Sequence, residues 1–201
     1  MEQLATNTKD KIREAAKELF WLHNYGSVSV DLICKTAGVK KGSFYHFYDS
    51  KADLCVACLD CHWQERAQEL NLVFSTQTSP LERIALYANN VYKNQVKLKE
   101  EYGAVLGCPI SLTGTELSND DEKIRKKVIE IFDENYRYFE SIVKDANTAG
   151  LTDIKKTGLT ARQIVSYTIG LLYQAKIYND PEVLKNELQR GILTLMGINE
   201  K

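Results

Sequence analysis

Apolar residues recur at helical spacing along nearly the whole chain, and that period leaves little room for any fold but a helical one. Only 3 prolines interrupt 201 residues, and β-branched alternation is scarce. The expected fold is therefore all-α, with about nine helices. The first stripe is Ile12, Ala15, Ala16, Leu19 and Phe20. Its helix should end near Asn24-Tyr25-Gly26, with the glycine supplying a left-handed cap. Ser29 then reads as the N-cap of a short helix that turns Val30, Ile33 and Cys34 inward and stops at Ala37-Gly38. A second short helix follows from about Lys40 to Phe47. Two short helices across a glycine turn have the spacing of a helix-turn-helix.

Downstream, Ser50 and Asp53 make a capping-box start for a long helix through Cys61, Trp63 and Leu70. Ser79-Pro80 opens the next, with Leu81, Ile84, Ala85, Ala88, Val91 and Tyr92 as its stripe. The glycine-containing stretch from Gly103 to Gly114 breaks the period around a short helix. A long amphipathic segment from Asp121 closes at Gly150; Thr160 with Gln163 caps one further helix, and Asp180-Pro181 opens the last. The expected division is residues 1–54 for the helix-turn-helix and 55–201 for a second domain.

The second short helix leaves Lys40, Lys41, Ser43, Tyr45 and His46 on its outer side. Amines, hydroxyls and an imidazole on a helix that fits a major groove reach base edges and phosphates. Ser29 and Lys51 stand at the starts of their helices, where backbone N–H groups also suit a phosphate. Val30, Ile33, Val39 and Phe44 are the positions that lock the short helices to the first. Gly42 within a short helix costs roughly 1 kcal/mol relative to alanine, a cost that fits close approach of a DNA groove or of a packing helix. The stretch Tyr25 to Leu54 resembles the TetR family of bacterial regulators. Gly26, Ser29, Val30, Ile33, Ala37, Gly38, Val39, Lys41, Gly42, Phe44, Tyr45, His46, Ser50, Lys51 and Leu54 carry that resemblance. Cys34 and Tyr48 depart from it, where a small residue and phenylalanine are usual.

The resemblance implies a DNA-binding repressor whose later helices bind a small-molecule effector and dimerise, ligand binding shifting the spacing of the two reading helices. Phe74, Tyr87, Tyr92, Tyr102, Tyr136, Phe139 and Tyr167 are candidates to line a mostly apolar pocket, or else to pack as ordinary core. Cys108, in Gly-Cys-Pro, raises an alternative. Its segment resembles the middle of several family members, including the N-ethylmaleimide-responsive repressor, with Gly107, Cys108, Glu116 and Leu117 matching. A cysteine at a helix start can become a nucleophile and sense electrophiles. Ile164, Val165, Thr168, Leu171, Leu172 and Ala175, with Leu184, Leu188 and Ile192, form an apolar surface expected to make a two-fold four-helix interface. A dimer also suits a pseudo-palindromic operator, read by two helices about 34 Å apart.

The remaining signals mostly exclude. A net charge of −1 argues against coating nucleic acid by bulk charge, though not against a local basic face. Cys55, Cys58 and His62 share one helix face, and Cys58-Leu-Asp-Cys61-His62 fits the haem-attachment pattern. Core cysteines explain them more simply, so neither metal nor cofactor is expected. No nucleotide-binding, zinc-protease or nucleophile-elbow motif occurs, and 3 histidines leave little for an enzyme to use. A helical adaptor without DNA binding is the other alternative, opposed by the intact run from Lys41 to His46. No apolar run approaches the ~18 residues of a membrane span, and no secretory segment leads the sequence, so the expected compartment is the cytoplasm.

Overall fold

The computed structural model describes residues 7–117 and 121–198. Among them are nine α-helices and no strand: α1 (Thr8–His23), α2 (Val30–Ala37), α3 (Lys41–Phe47), α4 (Lys51–Val73), α5 (Pro80–Tyr102), α6 (Pro109–Glu116), α7 (Glu122–Thr148), α8 (Thr157–Tyr178) and α9 (Glu182–Leu195). They belong to two compact units. The first takes the chain up to Glu65 together with Pro109–Glu130; the second takes Arg66–Cys108 and the chain from Ile131 onward. The two contiguous stretches expected, 1–54 and 55–201, are not these units. The chain enters the first unit twice, because α6 packs on α1 while helical period alone says nothing of which partner a stripe meets.

In the first unit, α1 buries Ile12, Ala15, Ala16, Leu19 and Phe20, the expected stripe. The chain then turns at Asn24, not Gly26: Asn24 holds φ 66° and its side chain accepts from the N–H of Ser27 at 3.0 Å. Asparagine tolerates this conformation through such local bonding, which is why it can replace glycine there. Ser29 caps α2 by accepting from the Leu32 N–H, and Gly38 closes it at φ 66°, where a side chain would be strained. Phe44 is fully enclosed and anchors α3. At the head of α4, the Asp53 N–H donates to Ser50 Oγ (3.1 Å), and that hydroxyl donates to Asp53 Oδ2 (2.6 Å). The hydrogen bond from Lys123, then that from Ser50, holds the Asp53 carboxyl below its ordinary value.

In the second unit, Ser79 caps α5 with Pro80 at its first position, as the sequence suggests. Leu81, assigned to the stripe, lies 40% exposed. α8 begins at Thr157, a turn earlier than Thr160, and Thr160 is buried rather than capping. α9 packs on both α5 and α8. The residues expected to form a two-fold interface take part in this packing. Ile164, Val165, Thr168, Leu171, Leu172, Ala175, Leu184, Leu188 and Ile192 are all buried within a single chain. These side chains are engaged in packing within the chain. α8 is apolar over most of its circumference, and periodicity alone does not separate a core face from a docking face. The outer side carries Leu159, Ser166, Gly170 and Ile177, with Leu159 52% and Ile177 77% exposed.

Candidate nucleic-acid interface

The first unit presents α3 with its two sides sharply divided. Phe44 has no exposed surface, whereas Lys40, Lys41, Tyr45 and His46 are exposed and Ser43 is half-buried. The Tyr45 ring leans edge-on against Phe44 at 5.1 Å, which restricts the phenol to an outward pose. Lys41 pairs with Asp31 on α2 at 2.9 Å, and the hydrogen bond to Asp31 raises its pKa, keeping it cationic. That partner escaped the sequence reading, because the pairing crosses the turn between two helices. Gly42 meets nothing within 4 Å at the position of a Cβ. Packing against a neighbouring helix therefore does not explain the glycine, and open space on the outer side remains.

Two expected phosphate contacts separate. Ser29 is exposed at the start of α2 with its hydroxyl already engaged as the cap. Lys51 is half-buried and turned inward: its ammonium donates to the carbonyls of Tyr25 and Val28, each at 3.0 Å, and lies 4.2 Å from the centroid of the Tyr25 ring. Its role here is to hold the turn between α1 and α2, leaving one N–H of three for anything else. The backbone carbonyls it serves carry no sequence signature.

The candidate effector residues divide as well. Phe74, Tyr87 and Phe139 meet edge-on at centroid distances of 5.0 to 5.8 Å, joined by Tyr138. Burial raises the Tyr87 hydroxyl above its ordinary value, and the Arg66 guanidinium lies 5.9 Å from the centroid of its ring. Tyr136 instead stacks with Phe132 beneath the Arg162 guanidinium, and Tyr167 donates to the Glu187 carbonyl. Tyr92 donates to Glu182 at 2.6 Å, and half-buried Tyr102 ends α5. Only part of the proposed set is thus gathered in one place. Cys108 is half-buried one residue before α6. The preceding Gly107 (φ 77°) is clasped by buried Gln95, which donates to its carbonyl at 3.2 Å and accepts from its N–H at 2.9 Å.

Cys55, Cys58 and His62 line a crevice of about 30 Å³ with Phe20, Trp21 and Leu59, room for little more than water. Burial pushes the Cys55 thiol up to about 12 and the Cys58 thiol well above its usual value. Among the described residues, no three His, Cys, Asp or Glu side chains are placed to hold a metal ion. Nor, among them, is any helix long and apolar enough to cross a membrane.

Residues 12–58 match the family described as bacterial regulatory proteins, tetR family. An HTH-type transcriptional regulator from the lacX 3′ region of Lactococcus lactis subsp. lactis is 30% identical over 200 residues, spanning 97% of this chain and 96% of its own. The chain belongs to the TetR family. It is accordingly a DNA-binding transcriptional regulator, and its relatives are transcriptional regulators, a non-enzymatic kind of protein. Another TetR-family relative is the HTH-type transcriptional repressor NemR of Escherichia coli (strain K12), 26% identical over 188 residues and 90% of each chain. The crystal structure of regulatory protein TetR from Rhodobacter sphaeroides matches with a TM-score of 0.79 and 25% identity, covering 90% of this chain and 95% of that one.

Proposed function

We propose that this TetR-family regulator is a homodimeric repressor that reads a pseudo-palindromic operator with α3 and releases it on binding a small molecule. The observation that carries the reading is the division of α3. Phe44 alone is fully enclosed, while Lys40, Lys41, Tyr45 and His46 are exposed on the side that would meet a groove. Ser29 at the α2 N-terminus suits a phosphate, and the open space over Gly42 suits a close backbone approach. A Lys41→Ala, Tyr45→Ala double variant should lose about 100-fold in affinity for DNA flanking the protein's own gene, since each such contact contributes about 1–3 kcal/mol. Mobility shifts across a salt titration measure it. If wild type binds no flanking fragment, and genome-wide selection recovers none, the chain is instead an adaptor without DNA binding.

The homodimer rests on the outer side of α8. Leu159, Gly170 and Ile177 give an apolar strip with small residues that permits close helix approach. Ile177→Asp should convert a dimer into monomers in sedimentation equilibrium without unfolding, because Ile177 is 77% exposed in the single chain. A dimer undisturbed by that change would place the interface elsewhere.

The effector reading rests on the Phe74, Tyr87 and Phe139 rings, whose buried hydroxyl and nearby guanidinium suit a planar ligand bearing a polar group. Cys108 supports a second reading, a thiol that senses electrophiles, because it is half-buried while Cys34, Cys55 and Cys58 are enclosed. In native protein, N-ethylmaleimide should add to Cys61 and Cys108 only, and to all five cysteines in denaturant. Operator release that survives Cys108→Ser would assign the response to a reversible ligand.

A further inference from the structure

The connection from α1 to α2 is held from outside at three backbone atoms. Lys51 takes the carbonyls of Tyr25 and Val28, and the Tyr25 N–H donates to the Glu116 carboxylate (Oε2) at 2.9 Å. The Tyr25 amide is the first beyond Asn24, whose φ of 66° turns the chain out of the helical path. The Tyr25 ring is buried and packs on Phe20 at 5.4 Å, so this residue is the pivot of the turn. Lys51 follows α3 by only four positions and is local to the reader. Glu116 comes from 91 residues along the chain, as the last residue of α6.

We propose that Glu116 is a positioning residue for DNA recognition, fixing the turn from which α2 and α3 are aimed. The proposal rests on the reading of α3 as the DNA-contacting helix. Its logic follows the chain. Val28, whose carbonyl Lys51 holds, lies next to Ser29, whose hydroxyl caps α2. α2 leads through Gly38 directly into α3. An unanchored Tyr25 amide would let the start of α2 shift, and DNA binding would then have to order the turn as well as make its contacts. A carboxylate in this unit also opposes DNA through its charge, so electrostatics alone predicts that removing it strengthens binding. Positioning predicts the reverse, and the two effects can be told apart.

The test uses the full-length protein, with a fluorescent duplex carrying the sequence that wild type selects from a random pool. Glu116→Ala should weaken binding about tenfold at a temperature well below unfolding, as expected for loss of one charge-assisted hydrogen bond. The slope against salt should not change, because no phosphate contact is removed. Glu116→Gln keeps an acceptor oxygen and drops the charge, and should bind as wild type or better. In protein labelled with ¹⁵N-tyrosine, the Tyr25 amide should lose its protection from hydrogen exchange in Glu116→Ala and keep it in Glu116→Gln. If Glu116→Ala lowers the thermal midpoint substantially, Glu116→Asp takes its place: it retains the charge, withdraws the oxygen by one methylene, and should weaken binding in the same direction. Binding by Glu116→Ala equal to or tighter than wild type overturns the proposal, as does an equal loss in Glu116→Gln. A wild type that selects no duplex overturns the DNA-reading assignment itself, a separate outcome.

Discussion

Replacing Phe139 with alanine is expected to lower the unfolding free energy by about 3–5 kcal/mol. Phe139 is 1% exposed, and its ring is the meeting point of Phe74 at 5.2 Å and Tyr87 at 5.0 Å. Removing it forfeits the transfer free energy of a whole aromatic side chain and leaves a void edged by two rings, Phe74 from the turn after α4 and Tyr87 from α5. Rings held edge-on by several neighbours cannot collapse far into such a void, so the cost belongs at the upper part of the range. Urea titration should show a lower midpoint with an unchanged slope. A loss under about 1 kcal/mol would mean that the site relaxes or fills with water, and that the rings are not a packed core. The same variant bears on the effector reading. If those rings orient a ligand, Phe139→Ala should weaken effector response even at temperatures where the protein stays folded.

Arg83→Met should be nearly as severe, at about 2–4 kcal/mol. Arg83 is 2% exposed, and its guanidinium serves two partners, Asp145 at 2.6 Å and the Thr78 carbonyl at 2.7 Å. Methionine matches the aliphatic stem but leaves both acceptors without that donor. The Asp145 side chain is 37% exposed and can recover water, which keeps the loss below that of a fully enclosed pair. Asp145→Asn alone should therefore cost less than Arg83→Met. The double variant should recover part of the single loss, because no unpaired carboxylate remains. A double-mutant cycle by thermal and chemical unfolding decides this. Strict additivity would show that the two side chains do not communicate.

The sequence disclosed local features far better than distant ones. The five buried positions of α1, the Ser29 cap, the Gly38 turn and the Ser50–Asp53 box are all short-range. Each is decided by residues within one or two helical turns, where period and capping chemistry suffice. The turn at Asn24 lay at the edge of that range, since glycine and asparagine compete for a positive φ and the Asn24 side chain accepts from the neighbouring Ser27 N–H. Legibility failed where the deciding partner was remote. Lys51 reads as a phosphate ligand from its place at a helix start, and nothing near it in sequence points to the Tyr25 and Val28 carbonyls it also serves. Leu184 and Leu188 read as an interface from their period, and their burial within α9's packing on α5 and α8 has no local signature. On α3, the outward set was legible because enclosed Phe44 fixes the rotation of the helix. Glu116 was visible as a family match, but nothing near it in sequence pointed to Tyr25.

In α3 the residue that secures the helix and the residues that would face DNA do not overlap. Phe44 supplies the enclosed anchor, and the exposed Lys40, Lys41, Tyr45 and His46 add to it only the surface ion pair from Lys41 to Asp31 and the edge contacts of the Tyr45 and His46 rings. A regulator built this way can change its address without renegotiating its fold. Substitution on the outer side alters which groove edges are met, while the seat of the helix stays as it was. Recognition in such a chain is replaceable lettering on a fixed mount, so duplicated copies could diverge in target through a handful of exposed positions.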